Sequence, residues 1–274
     1  MGKNWSLGLT AETDPRVARA AVGHRGKRYR RSENDRRVTR GSPRFKAPAS
    51  DTDWSADLAY AVGLIATDGC LSKNGKTVAQ VSKDFDLLQT FLTCVGSQAR
   101  ITWSQRAYRA QVCDVGLYRW LESIGLRQRK SLTLGSINVP VGLFAHFTRG
   151  LLDGDGSVKF SIVVPNPRRY PLHTYPRLCV QFISASEAHV RWLRQQLKNL
   201  YGLDGWTTVS KKNRTNPLYL LRYSKHEAIP LLNELYRDAS APRLERKWRI
   251  WNRYCSEARP TRVWTSRRSD GMQT

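Results

Sequence analysis

RGLLDGDGSVKF (149–160) packs two aspartates and three glycines into residues 149–156, directly after the apolar and aromatic run VGLFAHFT (141–148). A second stretch, YAVGLIATDGCLS (60–72), is apolar from Tyr60 to Ala66 and also stops at an Asp-Gly pair. Each reads as a helix that ends on glycine, with Gly69 and Gly156 as the stops. An acid at a helix C-terminus opposes the helix dipole, so a compensating positive charge is expected beside each pair, and a bound divalent cation is one source of it. A calcium loop does not fit, because the sixth and twelfth positions counted from Asp153 are Val158 and Val164. A phosphate-cradling GxxxxGK[ST] loop is absent. For one site a plain helix cap would suffice, but Asp68 and Asp155 lie 87 residues apart at matching places in two similar halves.

Outward from these pairs the patterns repeat. Helical spacing covers 54–68, 83–96 and 116–124, with strand signals at 70–72, 77–82, 99–104 and 108–115. In 83–96 the apolar set is Phe85, Leu88, Phe91, Leu92 and Val95. The second half runs through the same series. Pro140 is placed as a first-turn proline of a helix over 140–155. Strands follow at 157–164, 176–184, 206–211 and 217–223, with helices at 186–202, 225–237 and 242–254. The expected class is α+β, with two pseudo-symmetric αββαββα lobes whose antiparallel sheets form a saddle. The expected divisions are a basic arm (1–50), lobe 1 (51–126), a linker (127–139), lobe 2 (140–255) and a basic tail (256–274).

Charge names the partner class. Lys and Arg number 46 against 22 acids in 274 residues, a net charge of +24. That excess points to a polyanion, and nucleic acid before a membrane surface. No apolar run approaches the ~20 residues a bilayer span needs, so a soluble, intracellular protein is expected. The five cysteines, at 70, 94, 113, 179 and 255, show no CxxC spacing. Free thiols are expected rather than a zinc site.

The paired stretches resemble the LAGLIDADG homing endonuclease family. AVGLIATDG (61–69) and TRGLLDGDG (148–156) stand where its nine-residue motif falls. The second is the nearer match; the first has Ala66 in place of the motif's first Asp. The resemblance spans about 54–254 and implies a single-chain, monomeric, site-specific endodeoxyribonuclease that makes double-strand breaks. It implies that Asp68 and Asp155 are the catalytic acids, one per DNA strand, and that they hold Mg²⁺ (two or three ions) together with Gly69 and Gly156. Lys130 and Lys247, each in an Arg-Lys pair at equivalent places, look like the family's active-site lysines. Ala59, Gly63, Ala66 and Gly150 supply the small residues that let the two motif helices touch. Two alternatives stay open: an RNA maturase that assists intron splicing, and a non-cleaving DNA-binding regulator.

Concave sheets of this kind lie along the major groove of double-stranded DNA. The residues expected on that face are Lys76, Gln80, Arg106, Arg109 and Gln111 in lobe 1. In lobe 2 they are Lys159, Arg177, Gln181, Lys211, Arg214 and Arg222. Arg168 and Arg169 are expected to crown a hairpin loop and touch backbone.

Overall fold

A computed structural model of the chain describes residues 45–164, 168, 174–211 and 215–257. The expected basic tail beyond Glu257, nearly all of the basic arm, and Arg169 and Arg214 lie outside the described residues.

The first motif becomes helix α1 (Ala56–Asp68), started by the Ser55 hydroxyl, which accepts from the Leu58 amide. Every residue from Leu58 to Ala66 is buried, as expected of a helix apolar all round. Helices α2 (Phe85–Cys94) and α3 (Val115–Ser123) each bury one stripe, whereas α4 (Phe144–Asp153), after a short turn, is buried at every residue from Phe147 onward, like α1. Lobe 2 adds α5 (Glu187–Tyr201), α6 (Lys225–Leu235) and α7 (Glu245–Glu257).

The strands form two four-stranded antiparallel sheets. Lobe 1 contains β1 (Gly69–Leu71), β2 (Thr77–Ser82), β3 (Ile101–Ser104) and β4 (Ala107–Cys113), ordered β1-β2-β4-β3. Lobe 2 contains β5 (Ser157–Val163), β6 (Tyr175–Ser184), β7 (Trp206–Ser210) and β8 (Leu218–Ser224), ordered β5-β6-β8-β7. The repeated order is the duplication read from the sequence. One face of each sheet packs on helices, through Leu71, Val78, Ala110 and Val112 in lobe 1 and Val158, Val180, Phe182 and Leu221 in lobe 2. The buried core is continuous through both lobes. No helix among the described residues is long and apolar enough to cross a membrane.

Several local expectations are corrected. α4 stops at Asp153 with Gly154, not Gly156, as its cap, so Asp155 lies in the following turn. Pro140 precedes a 3₁₀ turn (Val141–Leu143) rather than opening the helix. Phe85 is 41% exposed, and Leu87 takes the buried position instead. Gln80 does not face outward. Counting parity from Lys76 misleads, because Lys76 lies in a turn; within β2 the core-facing set is Val78 and Gln80, and Gln80 is fully buried.

Candidate nucleic-acid interface and acidic centre

α1 and α4 meet backbone to backbone. A Cβ on Gly63 would lie 2.2 Å from the Phe147 carbonyl oxygen, and one on Gly150 would lie 2.2 Å from that of Tyr60. One turn on, a Cβ on Gly154 would lie 2.0 Å from the Thr67 hydroxyl. Ala59 and Ala66 are buried on the same helix as Gly63. Glycine is required at these crossings because any side chain would force the helices apart.

This crossing brings the C-termini of α1 and α4 to one place. Asp68 ends α1 and Asp155 follows α4, and each carboxyl opens to solvent on one side. Asp68 is pushed up to about 6, first by burial against the helix ends and then by the charge of Asp155; Lys130 and Lys247 pull the other way. Asp155 is also raised by burial and lowered by the same two lysines. Two acids and two ammonium groups therefore form one electrostatic cluster at the seam.

The lysines supply the compensating charge that the helix ends require. Lys130 Nζ donates to the carbonyls of Thr67 (3.1 Å) and Gly69 (2.5 Å). Lys247 Nζ lies within hydrogen-bond distance of those of Leu152 (2.6 Å), Asp153 (2.9 Å), Gly154 (3.2 Å) and Gly156 (2.7 Å), its three N–H groups shared among the four. Both side chains are buried, and burial lowers both pKa values, that of Lys247 to about 8. The chain reaches Lys130 through Arg129 in the left-handed region (φ 53°), a costly conformation for a non-glycine residue. The carbonyls of Gly69 and Gly156, read as metal ligands, are thus engaged by ammonium groups.

Asp153, the other acid of the motif, is away from the opening. It is buried, and its Oδ2 accepts from the Tyr60 hydroxyl (2.9 Å) and the Leu244 amide (2.7 Å). Nearby, buried Arg149 donates to the carbonyls of Pro242 (2.7 Å) and Leu235 (2.5 Å). These bonds tie α4 to the segments between α6 and α7. Lobe 2 also reaches to the linker and to lobe 1. Ser186 Oγ donates to the Leu134 carbonyl (2.5 Å), while Arg246 Nη2 donates to Asp84 (3.0 Å) at the start of α2.

Mg²⁺ takes one or two carboxylates and fills its shell with water and phosphate oxygens. The pair Asp68 and Asp155 fits that requirement: two crowded carboxylates, one raised by the other's charge, open to solvent. Among the described residues no group of three or more His, Cys, Asp or Glu is arranged to hold a metal, so further ligands would come from water and a phosphate.

The face of the lobe 2 sheet opposite the core forms a trough of about 800 Å³. Lys159, Arg177, Gln181 and Arg222 line it together. Trp206, Lys225 and His226 line it too, and sequence reading did not single them out. Trp206 is a strand residue whose inward or outward parity is ambiguous at an edge; Lys225 and His226 open α6 directly after β8, at the end of the strand that carries Arg222. Lys211 is exposed just after β7, and Arg168 is exposed in the β5–β6 connection. In lobe 1, Arg109 and Gln111 are exposed on the corresponding face, and Lys76 is exposed in the β1–β2 turn. Arg106 stands in the two-residue β3–β4 turn with Gln105, both at positive φ (65° and 53°). Such a turn normally selects Asn-Gly; the backbone here accepts strain to hold an arginine at the tip. Gln80 is the exception: it sits under the sheet, opposite Gly69, and neither amide atom has a partner among the described residues.

No family model and no curated protein matches the sequence. Solved structures do. The meganuclease I-SmaMI bound to uncleaveable DNA matches at 13% identity and TM-score 0.51, over 73% of this chain and 90% of that one. The I-LtrWI LAGLIDADG homing endonuclease bound to target DNA matches at 13% identity and TM-score 0.48, over 72% and 87%. Full-length DUF199/WhiA from Thermatoga maritima matches at 15% identity and TM-score 0.45, over 77% of this chain; the chain spans 63% of the length of that protein. At these identities the likeness is one of fold, and the doubled α+β architecture with two four-stranded antiparallel sheets is LAGLIDADG-like.

Proposed function

We propose that the chain is a DNA-binding endonuclease that hydrolyses both strands of a duplex, using Asp68 for one strand and Asp155 for the other. The observation that carries this reading is the seam itself: two solvent-open carboxylates, one per lobe, electrostatically coupled and flanked by the basic open faces of two sheets. The open faces bind the duplex and position it by phosphate contacts. Gly63 and Gly150 fix how closely the two acids approach. Lys130 and Lys247 neutralise the helix ends, which would otherwise disfavour anionic side chains there. They also add positive potential where a phosphate would sit. Mg²⁺, when bound by Asp68 and Asp155, supplies Lewis acidity and a water of lowered pKa.

A second reading has its own support. The engagement of both the Gly69 and Gly156 carbonyls by lysine leaves a sparse donor set, which suits a non-cleaving DNA-binding protein on the same scaffold. One experiment separates the two. The full chain is incubated with a randomised duplex library in Mg²⁺ or Ca²⁺, and both bound and cut fractions are sequenced. The endonuclease reading expects cuts in Mg²⁺ that disappear in Asp68→Asn and Asp155→Asn, with single-strand nicks as a residual product. Binding without cutting under every condition selects the second reading.

A further inference from the structure

The row of side chains nearest the acids differs between the lobes. In lobe 2 it begins at Ser157, the residue after the motif's last glycine, and crosses the sheet through Gln181 and Arg222 to Trp206. The equivalent row of lobe 1 runs from Cys70 through Ala79 to Gln111. Lobe 2 therefore places a glutamine and an arginine side by side where lobe 1 has a methyl group and a lone amide.

Gln181 and Arg222 are not independent. Arg222 Nε donates to Gln181 Oε1 at 2.9 Å, and both residues are half-buried in the trough wall. That bond uses the inner nitrogen and fixes the guanidinium plane. Among the described residues neither Nη1 nor Nη2 bonds a side chain, and no carboxylate there pairs with either. A guanidinium held in one plane, with two parallel donors exposed, matches the O6 and N7 acceptors of guanine in the major groove. It matches no other base edge with two acceptors side by side. Lys159 and Arg177 in the same trough are exposed, and no side-chain brace among the described residues holds them, so they suit phosphate contact rather than base reading.

We propose that Arg222, braced by Gln181, reads a guanine in a base pair close to the cleavage position, and that this makes lobe 2 the more selective half of the molecule. The proposal rests on the DNA-binding reading above and names the base that one residue of it recognises.

The test is a binding selection. The full chain is equilibrated in Ca²⁺ with a randomised duplex library, and the bound fraction is sequenced for wild type, Arg222→Met, Gln181→Leu and Lys159→Ala. Wild type is expected to enrich sequences with a fixed G·C pair at one position near the centre. Arg222→Met is expected to lose that preference by about 10- to 100-fold, the discrimination of one bidentate contact, while leaving the other positions unchanged. Gln181→Leu is expected to weaken the same position, and Lys159→Ala to lower binding evenly across sequences. Unaltered melting temperatures establish that the variants are folded. A sequence profile unchanged in Arg222→Met overturns the proposal and leaves DNA binding standing, as does wild-type binding with no preferred base. Failure of wild type to bind any duplex at low salt overturns both.

Discussion

Gly63 of α1 and Gly150 of α4 lie against each other with no side chain between them, each blocked from carrying a Cβ by a carbonyl of the opposite helix. The two lobes are held at the distance of bare backbones, and the acids at the ends of these helices inherit that spacing.

Gly63→Ala and Gly150→Ala should each destabilise the fold by about 1–3 kcal/mol, because the added methyl meets backbone that cannot rotate aside. Thermal melting should show a fall of several degrees. Gly142→Ala is the control, since its Cβ would meet nothing within 4 Å. Equal melting temperatures for all three would show that the seam tolerates a wider gap.

Lys247→Met leaves four carbonyls without their donor, and Lys130→Met leaves two. Breaking a buried charged interaction of this kind costs roughly 3–5 kcal/mol, with the larger loss expected at Lys247. Urea unfolding midpoints measure the order; a smaller loss at Lys247 than at Lys130 would contradict the capping role assigned to it.

The Asp68 carboxyl titrates near 6 in the folded protein against 3.8 as its ordinary value. Between those values the folded state holds a proton that the unfolded state has lost, so this group's contribution to stability falls as pH rises through the window and stays unfavourable above it. Asp68→Asn should therefore melt higher than wild type at pH 7.5 and equally at pH 3.5. Mg²⁺ should raise the melting temperature of wild type at pH 7.5 and raise that of Asp68→Asn less. Identical Mg²⁺ responses would remove Asp68 from the metal-binding assignment.

Gln80 buries an amide with neither atom bonded among the described residues, at the position where lobe 2 has Phe182. Gln80→Leu should stabilise the protein by about 1–2 kcal/mol, since an unpaired buried polar group carries its full desolvation cost. A lower urea midpoint in the variant would mean that the amide has a role the bare fold conceals.

Much of this architecture was legible because duplicated patterns check one another. The helix at 186–202, found as Glu187–Tyr201, and the helix stop at Asp68-Gly69 were readable from the sequence. The end of α4 was not, because three glycines in 149–156 offer more than one stop and only packing selects Gly154. Gln80 was misplaced because a turn residue, Lys76, served as the origin of the alternation. Lys130 and Lys247 were found by their matched positions, yet their bonds to helix-end carbonyls depend on side chains reaching across more than sixty residues of chain. Cross-lobe contacts such as Arg246 with Asp84 leave no local signature at all.

The unlike rows Cys70–Ala79–Gln111 and Ser157–Gln181–Arg222 have an evolutionary corollary. In an assembly of two identical subunits, any substitution on the reading face is echoed in the other half, and the bound sequence must be a palindrome. One polypeptide carrying both halves escapes that mirror constraint, so under the proposed DNA-binding reading each face would be free to drift toward its own half-site.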